Sequence, residues 1–329
     1  MKKIGIIGAG AWGTALAQNL SNSGLDVMLW AREEDVANSI NTEHKNNLFL
    51  KDLPLNESIK ASHNKDDLSG CDLYILMTPA QHLRSIIDDF ANIIKDNPFV
   101  IGSKGIEIET GSLLSDVVLE KLPDAIFGFM SGPTFAGEIA KGLPCAITLA
   151  MNNREVGKEI VKSIGSRTLR TYLSNDIIGV QIGGSVKNVI AIACGVIEGR
   201  GMGESARCAL VTRGLAEMAR LAKALGAEKE TLMGMCGIGD LMLTCSSMQS
   251  RNFSFGYELG QGKSVEEILS ERQAVTEGVH TAKALYTIAQ NNAVDMPISN
   301  AVYEFITEDV KIDEIFSRLL DRPLREENI

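Results

Sequence analysis

The chain has 329 residues, 45% of them hydrophobic and 22% charged, with a formal net charge of -10. That length suggests two domains with real cores, and an aromatic share of only 5% makes those cores mainly aliphatic. The acidic balance argues against a nucleic-acid surface or adsorption to anionic lipid. Any phosphate that binds must therefore be met by cations gathered locally. Six cysteines (Cys71, Cys145, Cys194, Cys208, Cys236, Cys245) form no C-x-x-C pair, and four histidines (His44, His63, His82, His280) form no H-x-x-x-H. No metal site or disulfide framework is expected, and scattered thiols fit a reducing cytoplasm.

Met1-Lys2-Lys3 and the apolar stretch running to Ala15-Leu16-Ala17 imitate a secretory signal. Gly5, Gly8, Gly10 and Gly13 make it a poor helical segment, so a strand leading into a glycine turn is the better reading. No run reaches the roughly 18 apolar residues that a membrane span needs.

In chain order, Lys3–Ile7 reads as a strand, 14–22 as a helix and 27–30 as a second strand. Strand-like runs follow at 59–62, 73–77 and 99–102, with helical stretches such as 81–94 between them. Strands separated by helix-length segments imply βαβ units and a parallel sheet, which 127–131 and 146–149 extend. After about Tyr172 the chain becomes rich in Ala, Leu, Met and Gly, with helices expected at 176–197, 206–225, 265–272 and 281–291. The fold class is therefore α/β: a dinucleotide-binding domain with a mostly parallel sheet over 1–174, then an all-helical substrate domain over 175–329. Neither a low-complexity linker nor an internal repeat is apparent.

Gly8-Ala9-Gly10-Ala11-Trp12-Gly13 fits G-x-G-x-x-G directly between a strand and a helix. Gly8 suits the tight turn, Gly10 admits a pyrophosphate to the backbone, and Gly13 lets helix and strand pack closely. The first N–H groups of the helix then face the phosphates. Where an NAD-selective site often carries an acid, the next strand runs into Arg32, followed by Glu33 and Glu34. A guanidinium there can meet a 2′-phosphate, so NADPH is expected to be accepted alongside NADH. An Arg simply paired with a neighbouring acid is the plainer alternative.

Ser103-Lys104-Gly105 lies at the carboxyl end of a strand, the edge where open α/β sheets bind ligands. Ser131-Gly132-Pro133-Thr134 follows another strand, with Pro133 suited to a helix start. Further on, Gly179, Gly183, Lys187, Ala191, Gly195 and Gly199 recur every four residues and form one stripe on a helix. Each interior glycine costs up to about 1 kcal/mol relative to alanine, so something must pack very close. Either the stripe serves tight helix packing, with Lys187 reaching solvent, or it faces a cofactor and presents Lys187 to substrate. Asp240 and the block Ser250-Arg251-Asn252 add polar groups, and Arg251 is able to grip phosphate oxygens in a bidentate way.

At these residues the sequence resembles the bacterial-type NAD(P)-dependent glycerol-3-phosphate dehydrogenases along essentially its whole length. The likeness rests on G-A-G-A-W-G-T-A-L-A from Gly8, S-K-G-I-E from Ser103, S-G-P-T-F-A-G-E-I-A from Ser131 and S-V-K-N-V-I-A-I-A-C-G from Ser185. It continues with L-V-T-R-G-L-A-E-M from Leu210, G-I-G-D-L-M-L-T-C-S-S-M-Q-S-R-N from Gly237 and V-T-E-G-V-H-T-A from Val275. The resemblance implies an N-terminal Rossmann domain and a helical domain of the 6-phosphogluconate-dehydrogenase type. It implies Lys187 as proton donor and acceptor, and substrate among Lys104, Gly132, Thr134, Lys187, Asp240, Ser250, Arg251 and Asn252. The cofactor, NADPH or NADH, would touch Gly8, Gly10, Ala11, Trp12 and Gly13 in the turn, and Arg32, Lys104, Ala136, Arg251, Val275 and Glu277. It further implies interconversion of dihydroxyacetone phosphate and sn-glycerol 3-phosphate for phospholipid synthesis, in a cytoplasmic homodimer.

Two stretches depart from the family pattern. Phe49-Leu50-Lys51 stands where Leu-Pro often follows the aromatic, and Glu204-Ser205 stands where Asp-Asn is usual, with Ser205 still able to cap a helix. In the expected chemistry, burial and Lys104 lower the pKa of Lys187 while Asp240 raises it. The rival readings are another two-domain β-hydroxyacid or ketopantoate-type reductase, and a catalytically silent nucleotide sensor.

Overall fold

The computed structural model describes residues 1–51, 53–272, 275–308 and 310–323. Residues 324–329 of the expected second domain lie outside them. The chain forms two compact units, one of Met1–Ser103 and Leu114–Val180, the other of Lys104–Leu113 and the residues from Gln181 onward.

In the first unit the elements are β1 (Lys3–Ile7), α1 (Ala11–Asn22), β2 (Asp26–Trp30), α2 (Glu34–Glu43), β3 (Lys60–Ser62), β4 (Leu73–Leu76), α3 (Leu83–Ile94) and β5 (Phe99–Ile101). They continue with α4 (Leu114–Lys121), β6 (Phe127–Ser131), α5 (Ala136–Ala140), β7 (Cys145–Met151), α6 (Arg154–Ile164) and β8 (Leu169–Ser174), before α7 (Ile177–Gly199) begins. The eight strands form one sheet in the order β3-β2-β1-β4-β5-β6-β7-β8. The first six reproduce the doubly wound arrangement in which strand order reverses beside β1. Continuous apolar runs such as Ile4–Ile7 and Leu73–Leu76 are buried throughout, as strands covered on both faces must be.

The sheet is parallel except at one seam. There β7 runs antiparallel to β6, and β8 then pairs parallel to β7. Sequence reading placed β7 in the sheet without that reversal and missed β8, whose LRTYLS is half exposed and lacks a clean apolar run. The helices α2, α4 and α6 fall between strands, where sequence reading expected helical stretches without giving their bounds.

The second unit holds the remainder of α7, α8 (Glu204–Ala224), α9 (Asp240–Thr244), α10 (Arg251–Gly260), α11 (Val265–Ser270), α12 (Glu277–Asn291), α13 (Pro297–Thr307) and α14 (Ile312–Leu320). The C-terminal part of the α7 glycine stripe is explained by helix packing. A Cβ on Gly195 would stand 2.0 Å from the Phe253 carbonyl oxygen, and one on Gly199 would stand 2.3 Å from that of Tyr257. The contact is reciprocal, since Cβ atoms on Gly256 and Gly260 would lie 1.9 and 2.6 Å from the carbonyls of Ile192 and Val196. Four glycines thus let the backbones of α7 and α10 touch. Helix α7 is long and apolar enough to cross a membrane, contrary to the sequence reading, but 89% of its apolar window is buried inside the protein.

Elsewhere in the unit, the Glu217 carboxylate on α8 caps α13 from a distance. It accepts from the backbone N–H groups of Ile298 (2.6 Å) and Ser299 (3.1 Å) and from the Ser299 hydroxyl (2.8 Å). Helix α8 starts at Glu204 with Gly203 as its cap, at φ 90°, so Ser205 does not fill the capping role expected of it. Only glycine takes that backbone cheaply.

Candidate active site

In the first unit the glycine turn follows β1, where the strand order reverses. Gly8 has φ 118°, and a Cβ there would meet the Met77 carbonyl oxygen, at the end of neighbouring β4, at 2.8 Å. A Cβ on Gly13 would fall 2.0 Å from the Gly8 carbonyl, so this glycine is what allows α1 to pack against the turn. Gly10 caps α1 without any side-chain hydrogen bond, and nothing lies within 4 Å of where its Cβ would be. Two glycines are thus demanded by packing, while the third leaves open space at a helix N-terminus. That combination suits a pyrophosphate.

Trp12 donates from Nε1 to the Thr134 hydroxyl at 3.0 Å, tying the glycine turn to the loop after β6. Thr134 in turn donates to the Gly132 carbonyl at 3.1 Å. Pro133 does not open a helix as expected, because α5 begins only at Ala136 with Phe135 as its cap. Gly132 also has a packing reason, since a Cβ would stand 2.5 Å from the Ala146 carbonyl on β7. Arg32 at the end of β2 is 75% exposed and ion-pairs with Glu33 at 2.6 Å.

In the second unit three ionised groups meet. Lys187 Nζ donates to Asp240 Oδ1 at 2.6 Å, and Lys104 Nζ donates to Asp240 Oδ2 at 2.8 Å. Lys187 is 6% exposed and Asp240 1%, whereas the Lys104 side chain keeps 19% of its surface. Lys187 therefore does not reach solvent; it sits in the glycine stripe because its partner sits opposite. The Thr244 hydroxyl completes the arrangement by accepting from Lys187 at 2.8 Å and donating to the Asp240 carbonyl at 2.6 Å. Sequence reading missed Thr244, although its i+4 spacing from Asp240 puts both on one face of α9.

Burial drives the Lys187 pKa down from 10.5 to about 8 against the upward pull of Asp240, and Lys104 adds to the fall. Burial pushes the Asp240 carboxyl up, but Lys104 and Lys187 together more than reverse this and hold it below its ordinary value. The Cys245 thiol is pushed well up by burial and by Cys194 against it, so it adds no negative charge beside the lysine. Two ammoniums thus share one carboxylate. The net positive charge is able to meet an anion or developing alkoxide, and a lysine lowered to about 8 exchanges its proton far more readily than an ordinary one.

The S-R-N block opens α10. Ser250 caps the helix by accepting from the Phe253 N–H at 3.2 Å. Arg251 donates from Nη1 to the Val275 carbonyl at 2.9 Å. Asn252 donates to Asn188 Oδ1 at 3.0 Å and accepts from the Gly278 N–H at 2.9 Å. Asn188, the neighbour of Lys187, was not singled out from sequence. This bond nevertheless fixes α7 to α10 one residue on from Lys187 and Arg251. Glu277 is the first residue of α12 and interacts electrostatically with Arg251. Among the described residues there is no group of His, Cys, Asp and Glu able to hold a metal ion.

Comparison with known proteins identifies the family. The NAD-dependent glycerol-3-phosphate dehydrogenase N-terminus model matches residues 3–157, and the C-terminus model of the same family matches 176–317. A glycerol-3-phosphate dehydrogenase [NAD(P)+] of Hyphomonas neptunium is 48% identical over 329 residues, covering 100% of this chain and 98% of that one. One from Parvibaculum lavamentivorans is 46% identical over 327 residues, covering 99% and 98%. The crystal structure of glycerol-3-phosphate dehydrogenase from Coxiella burnetii superposes with a TM-score of 0.93 at 36% identity, over 98% of this chain and 99% of that one. With both halves of the family matched along nearly its whole length, the chain belongs to the NAD-dependent glycerol-3-phosphate dehydrogenases.

Proposed function

We propose that this chain interconverts dihydroxyacetone phosphate and sn-glycerol 3-phosphate with NADH or NADPH, and that Lys187 moves the proton. The observation that carries this is the buried Lys187–Asp240–Lys104 triad, in which a lysine is held at a pKa of about 8. A bound nicotinamide supplies or takes the hydride. In the reducing direction the Lys187 ammonium gives a proton to the ketone oxygen, and in the oxidising direction the neutral amine takes it back from the hydroxyl. Asp240 and Thr244 aim the Nζ atom, Lys104 keeps the Lys187 pKa low, and Arg251 at the start of α10 binds the phosphate.

The Gly8–Gly13 turn is assigned the pyrophosphate, and Arg32 the adenosine ribose and its 2′-phosphate where present. We assign residues 1–174 mainly to the cofactor and 175–329 mainly to substrate. We further propose a cytoplasmic homodimer that supplies the glycerol-phosphate backbone of phospholipids. NADPH oxidation followed with and without dihydroxyacetone phosphate tests the reading. Turnover should require the ketone and should fall roughly 10²–10⁴-fold in Lys187→Ala, the range for a lost general acid. Ketone-independent oxidation, or near-normal turnover of the variant, would refute it.

A further inference from the structure

Asn46 lies outside every motif read from the sequence, in the loop after α2, and is 0% exposed. Its side-chain amide is fully used. Nδ2 donates to the Ala9 carbonyl and to the Thr14 hydroxyl, each at 2.8 Å, and Oδ1 accepts from the Phe49 N–H at 3.0 Å. Thr14 Oγ1 also donates to the Ala9 carbonyl, at 3.2 Å, which closes a ring of three hydrogen bonds inside the first unit. The Asn46 carbonyl accepts from Leu50 at 3.1 Å, so the loop that carries the amide is itself braced.

The Ala9–Gly10 peptide is trans, because the described chain has no cis bond. In a trans peptide the C=O and the following N–H point in opposite directions. Drawing the Ala9 carbonyl inward onto Asn46 therefore turns the Gly10 N–H outward. Gly10 is the residue with nothing within 4 Å of its missing Cβ, at the cap of α1. We infer that Asn46 is a positioning residue that aims the Gly10 N–H at the cofactor's pyrophosphate by holding the Ala9 carbonyl from behind. Gly8, at φ 118°, makes the turn possible but does not choose the orientation of the next peptide. Asn46 does so, and a buried amide is the neutral side chain able to donate twice and accept once in that space.

The inference rests on the assignment of the Gly8–Gly13 turn to the dinucleotide, and the test separates the two. Wild-type protein is titrated with NADPH by fluorescence without substrate, alongside Asn46→Asp and Asn46→Ser, and the melting of each is followed without cofactor. Asp keeps the shape but replaces both donors by acceptors, and Ser is too short to reach Ala9. The expected result is NADPH binding weakened roughly ten- to a hundredfold, the loss of an N–H aimed at an anion. In turnover that loss should fall on the KM for NADPH more than on kcat and leave the KM for dihydroxyacetone phosphate in place. A wild type that does not bind NADPH removes the cofactor assignment itself. A wild type that binds, with folded variants that bind equally well, overturns the role of Asn46, as does a loss shared equally by NADPH and the phosphorylated ketone. Should neither variant melt cooperatively, Thr14→Val decides, since it removes one leg of the ring at nearly constant volume. A several-fold loss of NADPH affinity is then expected, and unchanged affinity overturns the proposal.

Discussion

Asp240→Asn is the most direct probe of the triad, because it deletes the one charge that Lys104 and Lys187 share while keeping the side chain's size. Burial, with Lys104 adding to it, drives the Lys187 pKa down, and Asp240, 2.6 Å away, is the main influence resisting that fall. An opposite charge at such range raises a lysine pKa by about one to three units, so removing it should lower the value of about 8 by that amount. Ketone reduction needs the ammonium form, and its rate therefore falls as pH rises through the Lys187 pKa. The assay is kcat/KM for dihydroxyacetone phosphate against pH at saturating NADPH. In the wild type the descending limb should sit near pH 8, and in Asp240→Asn it should move to lower pH by about one to three units. At pH 8 the protonated fraction would then drop roughly 5- to 500-fold, on top of any pH-independent loss from disturbed geometry. The position of the limb is the diagnostic feature. A limb that stays near 8 or moves upward would show that Asp240 does not hold the proton on Lys187, whatever happened to the absolute rate.

Gly256→Ala would place a Cβ 1.9 Å from the Ile192 carbonyl, where only rigid backbone can give way. Overpacking of this kind costs about 3 kcal/mol; at about 2–4 °C per kcal/mol the melting temperature should fall about 6–12 °C, and unchanged calorimetry would contradict the backbone contact. Glu217, raised by burial from 4.5 to about 7, binds its proton more tightly folded than unfolded. It therefore contributes stability that is present below pH 4.5 and lost as pH rises to about 7, by up to about 3 kcal/mol. Glu217→Gln should abolish that part of the slope, and urea midpoints at pH 5 and 7.5 that change in parallel for both proteins would argue otherwise. Arg32→Ala should lower kcat/KM for NADPH by up to about fivefold and leave NADH little changed, a modest effect because so exposed a cation is well screened. Equal losses with both cofactors would remove Arg32 from the choice between them.

The alternation of strands and helices, the glycine turn and the helical second half were legible because each depends on local pattern. Ile4–Ile7 is apolar on both faces, and Gly8, Gly10 and Gly13 stand at fixed offsets behind it. Strand-end position, the glycine stripe and the S-R-N block singled out Lys104, Lys187, Asp240 and Arg251, the family likeness gave them roles, and the structure brings both lysines onto the Asp240 carboxylate. What stayed hidden is non-local. The direction of β7 depends on which strand it reaches, and β8 is recognisable only through its pairing with β7. Asn46, Thr244, Asn188 and Glu217 are polar residues whose partners lie elsewhere in the fold. A polar residue in a loop or helix reads as solvated until its neighbours are known.

The α7 stripe shows why both readings of it were needed. Interior glycines imply close packing or a cofactor face; packing accounts for Gly195 and Gly199, and Asp240 accounts for Lys187. The two facts are joined by geometry. Because the backbones of α7 and α10 touch at Gly195, Gly199, Gly256 and Gly260, neither helix can slide without a steric clash. The Asn188–Asn252 bond then fixes the side of each helix on which the neighbouring Lys187 and Arg251 emerge. A lysine buried to 6% exposure is costly, since its folded pKa of about 8 lies below its ordinary 10.5. That difference amounts to about 3 kcal/mol of stability, absent at neutral pH and recovered only as pH rises from about 8 to 10.5. A flexible side chain would escape such a cost by reaching water. Lys187 is instead held inside by Asp240 and Thr244, which bind its Nζ atom. The glycines thus fix how α7 lies on α10, and with it the side of α7 on which the proposed proton donor emerges.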